Sequence, residues 1–67
     1  MNSNELRSVM AKHGDNGQKL AEALGRSPQA VSCKLNSKRK FTLEEIQVMI
    51  KRYDLAPEDV QLIFFTS

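Results

Sequence analysis

The chain has 67 residues, of which 40% are hydrophobic and 27% charged, and its formal net charge is +2. A chain of this length forms one small domain and buries only about 60% of the surface that its unfolded form exposes. With one cysteine, Cys33, and one histidine, His13, it cannot form an intrachain disulfide and has too few soft ligands for a four-ligand zinc site. We therefore expect no cofactor, and stability must come from close helix packing or from oligomerisation.

The sequence also bears on where the protein acts. No apolar run approaches the roughly 20 residues that cross a bilayer. Residues 1–6 are polar and lack the basic cluster and apolar stretch of a signal peptide. A lone free thiol fits a reducing compartment. The sequence therefore predicts a soluble cytoplasmic protein with no membrane association.

The positive charge is concentrated in one short segment. Residues 34–40 hold four cations and no acid, whereas residues 41–67 hold two cations and five acids. The four cations are Lys34, Lys38, Arg39 and Lys40. Such a patch suggests a polyanionic partner, although a charged run of this kind is more often a solvated loop.

The first two predicted helices have clear ends. Apolar spacing indicates a helix over about residues 4–13, and Gly14 suits the left-handed position that ends many helices. A second helix runs from about 17 to 24, with Asn16 as its N-cap and Gly25 at its end. The apolar face of the first consists of Leu6, Val9, Met10 and His13, and that of the second of Leu20, Ala21 and Leu24.

A third helix follows after two or three residues. Ser27 is placed as its N-cap, and Pro28 occupies the first helical position, where the missing N–H has no partner to lose. Val31 and Leu35 form its inner stripe.

The fourth helix has the clearest start in the chain. Thr42 and Glu45 have the spacing of a capping box, and Phe41 and Ile46 flank it as a hydrophobic staple. Its apolar face continues through Ile46, Met49, Ile50 and Tyr53. Alternation over residues 46–50 would also fit a strand, but the capping pattern and the length favour a helix.

Pro57 opens the fifth helix, and Glu58 and Asp59 in its first turn suit the helix dipole. Its apolar side consists of Val60, Ile63 and Phe64. Residues 62–65 could instead form a short strand, and periodicity leaves both open.

Residues 18–36 are the most informative about function. Two short helices meet at Gly25, which supplies the tight corner, and Ala21 is small where the helices must approach closely. At about 100° per residue, Gln29 and Cys33 point away from the inner stripe of the third helix. An exposed amide suits adenine, whose N6 and N7 match a bidentate glutamine.

This stretch resembles the helix-turn-helix of the Cro/CI-type (XRE) family of phage repressors, and the resemblance covers most of the chain. The matching positions are Leu20-Ala21, Leu24-Gly25, Val31 and Lys34-Leu35-Asn36, followed by the basic loop. The resemblance implies one compact all-α, five-helix, lambda-repressor-like domain over residues 1–67, with the helix-turn-helix in the second and third helices. The length resembles that of Cro-like repressors, which implies a phage or prophage protein acting in a bacterial cell.

Residue roles are carried over from the family by position. The residues that resemble base readers are Gln29, Ser32 and Cys33. Those that resemble DNA-backbone contacts are Asn16, Gln18, Ser27, Lys34, Asn36, Ser37, Lys38, Arg39 and Lys40. Arg26 and Lys34 depart from the motif, which is more commonly apolar there, and Leu35 is expected to replace the contact missing at position 34.

Plainer interpretations stand beside these roles. Gln29 fits an ordinary exposed position, and Cys33 fits a small half-buried residue as well as one in van der Waals contact with a base. His13 is expected near the C-terminal helix dipole rather than as a ligand. Lys51 and Arg52 are expected to be solvated.

Proteins of this family usually bind DNA as dimers, and the apolar residues at the C-terminal end are the candidate dimer contacts. A terminal helix packs on one face, so at least one ring of Phe64 and Phe65 is expected to be exposed, and exposed apolar patches often mark interfaces. Leu62, Phe64 and Phe65 are the predicted contacts of a weak homodimer that DNA strengthens; a purely core role stays open. Two copies would read a palindromic operator.

The leading prediction is a sequence-specific double-stranded DNA-binding transcriptional regulator that reads the major groove with residues of about 28–35. The alternative is a protein-interaction module, such as an antirepressor or antitoxin subunit, although such a module has no need of the basic loop. An enzyme is disfavoured because nucleophilic catalysis needs a base beside the nucleophile, and Cys33 and His13 lie on different predicted helices.

Overall fold

The computed structural model describes residues 1–65 and folds them into helices joined by short turns. The helices are α1 (Ser3–Lys12), α2 (Gly17–Leu24), α3 (Pro28–Leu35), α4 (Leu43–Arg52) and α5 (Pro57–Phe64). Within residues 1–65 there is no strand, so the all-helical prediction is confirmed and the alternative strands at 46–50 and 62–65 are wrong. The described part is compact, with extents of 28 × 23 × 20 Å. None of its helices is both long and apolar enough to cross a membrane.

The predicted N-caps all form. The side-chain oxygens of Asn16 and Ser27 accept hydrogen bonds from the third backbone N–H of α2 and α3, at 2.9 and 3.2 Å. Thr42 and Glu45 close the capping box in both directions. These bonds satisfy backbone donors that a helix start leaves without a partner.

The first helix begins and ends one residue earlier than predicted. Asn2 caps it by accepting from Glu5 N at 3.1 Å, a role that its sequence position had not suggested. The backbone N–H of Asn2 also donates to Ile63 O at 2.7 Å, which joins the start of the chain to α5. His13 is exposed rather than part of the apolar face, and its ring lies 5.4 Å from that of Tyr53.

Four residues at the ends of helices, or in the turns just after them, have a left-handed backbone conformation. Gly14 and Gly25 have φ of 64° and 68°, as their type predicts. Ser37 and Asp54 adopt the same region at φ of 63° and 50° without being glycine. A non-glycine left-handed residue has no clear sequence pattern, so these two turns could not be placed beforehand.

One core contains residues from every helix. Its buried apolar members are Leu6, Met10, Leu20, Ala21, Val31, Leu35, Phe41, Met49, Tyr53 and Ile63. Most of the predicted inward positions are among them, and Val9, Leu24 and Ile46 are half-buried and pack against it. Leu35 is buried as expected.

Arg52 is exposed, as predicted, but it also forms an ion pair that the sequence did not indicate. Its guanidinium donates to both carboxylate oxygens of Asp15, at 2.8 and 3.0 Å. This pair connects the turn before α2 to the last turn of α4. Lys51, its neighbour, is exposed as predicted.

Candidate nucleic-acid interface

The α2–α3 pair gives the candidate interface its frame. These two helices form the most extensive helix–helix contact in residues 1–65. Leu20, Ala21 and Val31 are essentially fully buried, and Arg26 N closes the turn by donating to Ala21 O at 2.9 Å. The inner side of α3 is thus fixed in the core, and its opposite side faces solvent.

The three candidate base readers lie on α3. Gln29, in the first turn, and Ser32 are exposed, whereas Cys33 is half-buried. The exposed amide and hydroxyl can donate and accept hydrogen bonds. Cys33 offers a smaller accessible surface, which suits van der Waals contact more than polar readout.

Most of the candidate DNA-backbone contacts are also exposed. They are Asn16, Gln18, Ser27, Asn36, Ser37, Lys38, Arg39 and Lys40. Asn16 and Ser27 are the N-caps of α2 and α3, so these residues stand beside helix starts whose free N–H groups attract phosphate. The three cations of residues 38–40 form an exposed basic loop directly after α3.

Lys34, one of the predicted DNA-backbone contacts, is buried in the folded chain and is not exposed with the basic loop. Lys34 is 8% exposed, and its Nζ lies 2.7 Å from both carboxylate oxygens of Glu45. The ammonium also lies 5.9 Å from the ring centroid of Phe41. Lys34 therefore packs inward beside Leu35, and the exposed cations of residues 34–40 fall from four to three.

Arg26, the other departure from the motif, also pairs with Glu45. Its Nε lies 3.3 Å from Glu45 Oε2, and its side chain stays half exposed. Burial alone would raise the pKa of Glu45, but hydrogen bonds from Lys34 and Thr42 outweigh it and hold that pKa below its ordinary value. Glu45 is thus an ionised, buried partner for cations around α3, a role beyond its predicted helix cap.

Arg7 is a candidate contact that sequence reasoning missed. Its guanidinium donates to Asn36 Oδ1 at 2.8 Å, and one turn earlier the hydroxyls of Ser3 and Ser37 lie 2.9 Å apart. Both bonds join α1 to the segment that follows α3. Positions 3 and 7 share a helix face, but nothing local indicates what that face meets. Arg7 adds an exposed cation beside a predicted phosphate contact.

The predicted dimer residues differ in their surroundings. Phe64 is half-buried and packs edge-on against Phe41, with ring centroids 6.4 Å apart. Phe65 is 59% exposed and Leu62 is 43% exposed. The core interpretation therefore accounts for much of Phe64 and leaves Phe65 as the most accessible ring of the pair.

An open groove lies between the basic loop and the end of α5. It encloses about 510 Å³, and its lining includes Arg39, Lys40, Phe41, Ile46, Phe64 and Phe65. Its walls combine an apolar floor with two cations. The exposed C-terminal ring and the basic loop are therefore neighbouring parts of one surface.

The candidate metal ligands among the described residues do not come together in a site. No group of three or more His, Cys, Asp or Glu within residues 1–65 is placed to hold a metal ion.

Comparison of the chain with protein-family models, curated proteins and solved structures gives no significant match. Function must therefore be inferred from the residues and geometry of this surface.

Proposed function

We propose that the protein is a sequence-specific regulator that binds double-stranded DNA, a Cro-like repressor of phage or prophage origin. The observation that carries the proposal is the basic loop of residues 38–40, exposed directly after a helix whose outer side is polar. A phosphate backbone neutralises such cations and supplies the sequence-independent part of the affinity. The polar helix beside it supplies groups suited to base edges.

In this proposal α2 and α3 act as a helix-turn-helix, and α3 lies in the major groove. Gln29 pairs with adenine through N6 and N7, Ser32 bonds a neighbouring base edge, and Cys33 makes van der Waals contact. The exposed starts of α2 and α3 and the basic loop fix the register by binding phosphates. Arg7 joins them through its contact with Asn36.

The functional unit in this proposal is a homodimer on a palindromic operator. One short helix reads too few base pairs to define a site among genomic competitors. A two-fold axis places a second α3 about one helical turn of DNA away. The exposed ring of Phe65 supplies an apolar contact outside the DNA-binding side of α3.

Selection of bound sites from random duplex DNA tests the proposal. We expect enrichment of a palindromic sequence whose half-sites are separated by about one helical turn. The selected duplex is then titrated beside a scrambled duplex of the same composition and length. Failure to enrich any sequence, together with equal affinity for both duplexes, would contradict sequence-specific binding.

A further inference from the structure

The carboxylate of Glu45 contacts groups from three parts of the chain. It accepts a hydrogen bond from Thr42 N at 2.8 Å, which is its part in the α4 capping box. Both of its oxygens lie 2.7 Å from Lys34 Nζ, and Oε2 lies 3.3 Å from Arg26 Nε. The Glu45 side chain is only 4% exposed.

The two cations flank α3. Arg26 lies in the turn immediately before the helix, and Lys34 lies in its last turn. A helix of eight residues is about 12 Å long, and one carboxylate on α4 contacts a side chain in its last turn and another just before its N-cap. Contacts on either side of the helix can restrain its tilt as well as its position relative to α4.

The energetics favour a geometric role for this cluster. Removing two charges from water costs much of what their attraction returns, so a buried ion pair contributes little net stability compared with a well-packed apolar pair. A bidentate pair with 2.7 Å contacts nevertheless permits few alternative arrangements. The contacts of Glu45 can therefore contribute more to the placement of α3 than to the stability of the fold.

We propose that Glu45 is a positioning residue for base recognition, holding α3 at the tilt that α3 needs in the major groove and withholding the charge of Lys34 from DNA. The inference rests on the proposed DNA-binding function. Its consequence is that Glu45, which touches no DNA, sets the ratio between affinities for cognate and random duplexes.

The ratio of the two dissociation constants is the decisive readout. A variant that merely folds less well weakens both affinities by the same factor, because each apparent constant is divided by the same competent fraction. The ratio is then unchanged. A variant that misplaces α3 lowers the ratio, because only cognate binding depends on base contacts.

The principal variant is Glu45→Gln, which keeps an oxygen for Thr42 N and removes the charge that holds Lys34. We expect its ratio of random to cognate dissociation constants to fall about tenfold, the discrimination of roughly one good base contact. Release of Lys34 should also steepen the salt dependence on random DNA by about 0.9 in log–log slope. Glu44→Gln is the matched control, because it removes an exposed acid from the same helix turn and changes the net charge equally.

A second variant, Lys34→Met together with Glu45→Gln, removes both charges and keeps the net charge of the wild type. A neutral buried pair is often as stable as an ionic one, so this variant covers the case in which Glu45→Gln alone does not fold. We expect the same fall in ratio with no steepening of the salt dependence. Circular dichroism reports the helical content of each variant.

The outcomes separate this inference from the function on which it rests. If the wild type discriminates between duplexes and both variants keep its ratio within twofold, Glu45 does not position α3, and DNA recognition stands. If the wild type itself fails to discriminate, the proposed function fails and the inference fails with it. A fall in ratio for Glu44→Gln as large as that for Glu45→Gln would also overturn the inference, since net charge would then explain both.

Discussion

The hydroxyl of Tyr53 donates a hydrogen bond of 2.5 Å to Asp15 Oδ2, the oxygen that also accepts from Arg52 Nε. The hydrogen bond from Arg52 outweighs the opposing effect of burial and lowers the pKa of Asp15 from 3.8 to about 2. Burial, together with the bond to Asp15, raises the pKa of Tyr53. The turn between α1 and α2 is thus held against the end of α4 by an ionised carboxylate.

Replacing Asp15 by Asn should lower the free energy of unfolding at pH 7 by about 2 kcal/mol. This is the free energy that corresponds to the lowering of the Asp15 pKa on folding. Because the folded pKa is depressed, this contribution is complete above the unfolded pKa of 3.8 and is lost as the pH falls through about 2. Urea unfolding of both proteins across this range measures it. The difference should be constant at neutral pH, decrease as the pH falls from about 4 to about 2, and vanish below about pH 2.

Glu22→Gln, which removes an exposed acid from α2, is the control and should leave the unfolding curve close to that of the wild type. Equal stability of wild type and Asp15→Asn at pH 7 would show that the Asp15 cluster adds nothing to the fold.

DNA binding should weaken steeply with salt. With about three to five phosphates contacted per subunit, log K should fall with log salt by roughly 0.9 for each contact. Lys38→Gln should reduce the slope by about 0.9, whereas Lys51→Gln, an exposed lysine on α4, should leave it unchanged. Fluorescence anisotropy over a series of salt concentrations measures all three slopes. A slope near zero for the wild type would exclude phosphate binding by the basic loop.

Gln29→Ala should weaken binding to the cognate duplex by about 1–3 kcal/mol and relax the preference at one base pair. Arg39→Ala should weaken binding to cognate and random DNA alike, because a phosphate contact carries no sequence information. Titration of both variants on both duplexes distinguishes these roles. Equal losses for Gln29→Ala on the two duplexes would remove Gln29 from the base readers.

What could be predicted from the sequence was set by local interactions. The caps at Asn16, Ser27 and Thr42 join residues three apart, and the left-handed turn at Gly25 follows from the absence of a side chain. Such features depend on neighbouring residues alone and were correct. Apolar periodicity likewise identified most of the core, because an amphipathic helix has one side available for burial.

What could not be predicted depends on contacts that the fold brings together. Lys34 meets Glu45 across 11 positions, and Arg7 meets Asn36 across 29. In sequence, Lys34 belongs to a basic run and looks available to a phosphate, and only the approach of α4 to α3 shows that its charge has a partner. The same holds for Arg52, whose carboxylate partner lies 37 positions away.

Phe65 is the strongest candidate contact for the proposed homodimer. Phe64 is committed in part to the core through Phe41, whereas Phe65 keeps 59% of its surface exposed. It lines the groove beside Arg39 and Lys40, so a partner bound there would lie next to the basic loop. An interface centred on a single ring is below the standard size, and we expect association to be weak until DNA aligns the two copies.

Phe65→Ser should therefore leave the free protein monomeric and folded but weaken binding to the full palindrome, while binding to an isolated half-site stays unchanged. Leu43→Ser is the matched control, because Leu43 is 67% exposed on α4 and its loss removes a comparable apolar surface elsewhere. Sedimentation velocity with and without the palindromic duplex gives the stoichiometry, and titration gives the affinity. A Phe65→Ser protein that binds the palindrome two to one with wild-type affinity would place the dimer contact elsewhere. Equal weakening by Leu43→Ser would show that losing any exposed apolar side chain weakens binding, and that α5 does not end in an interface.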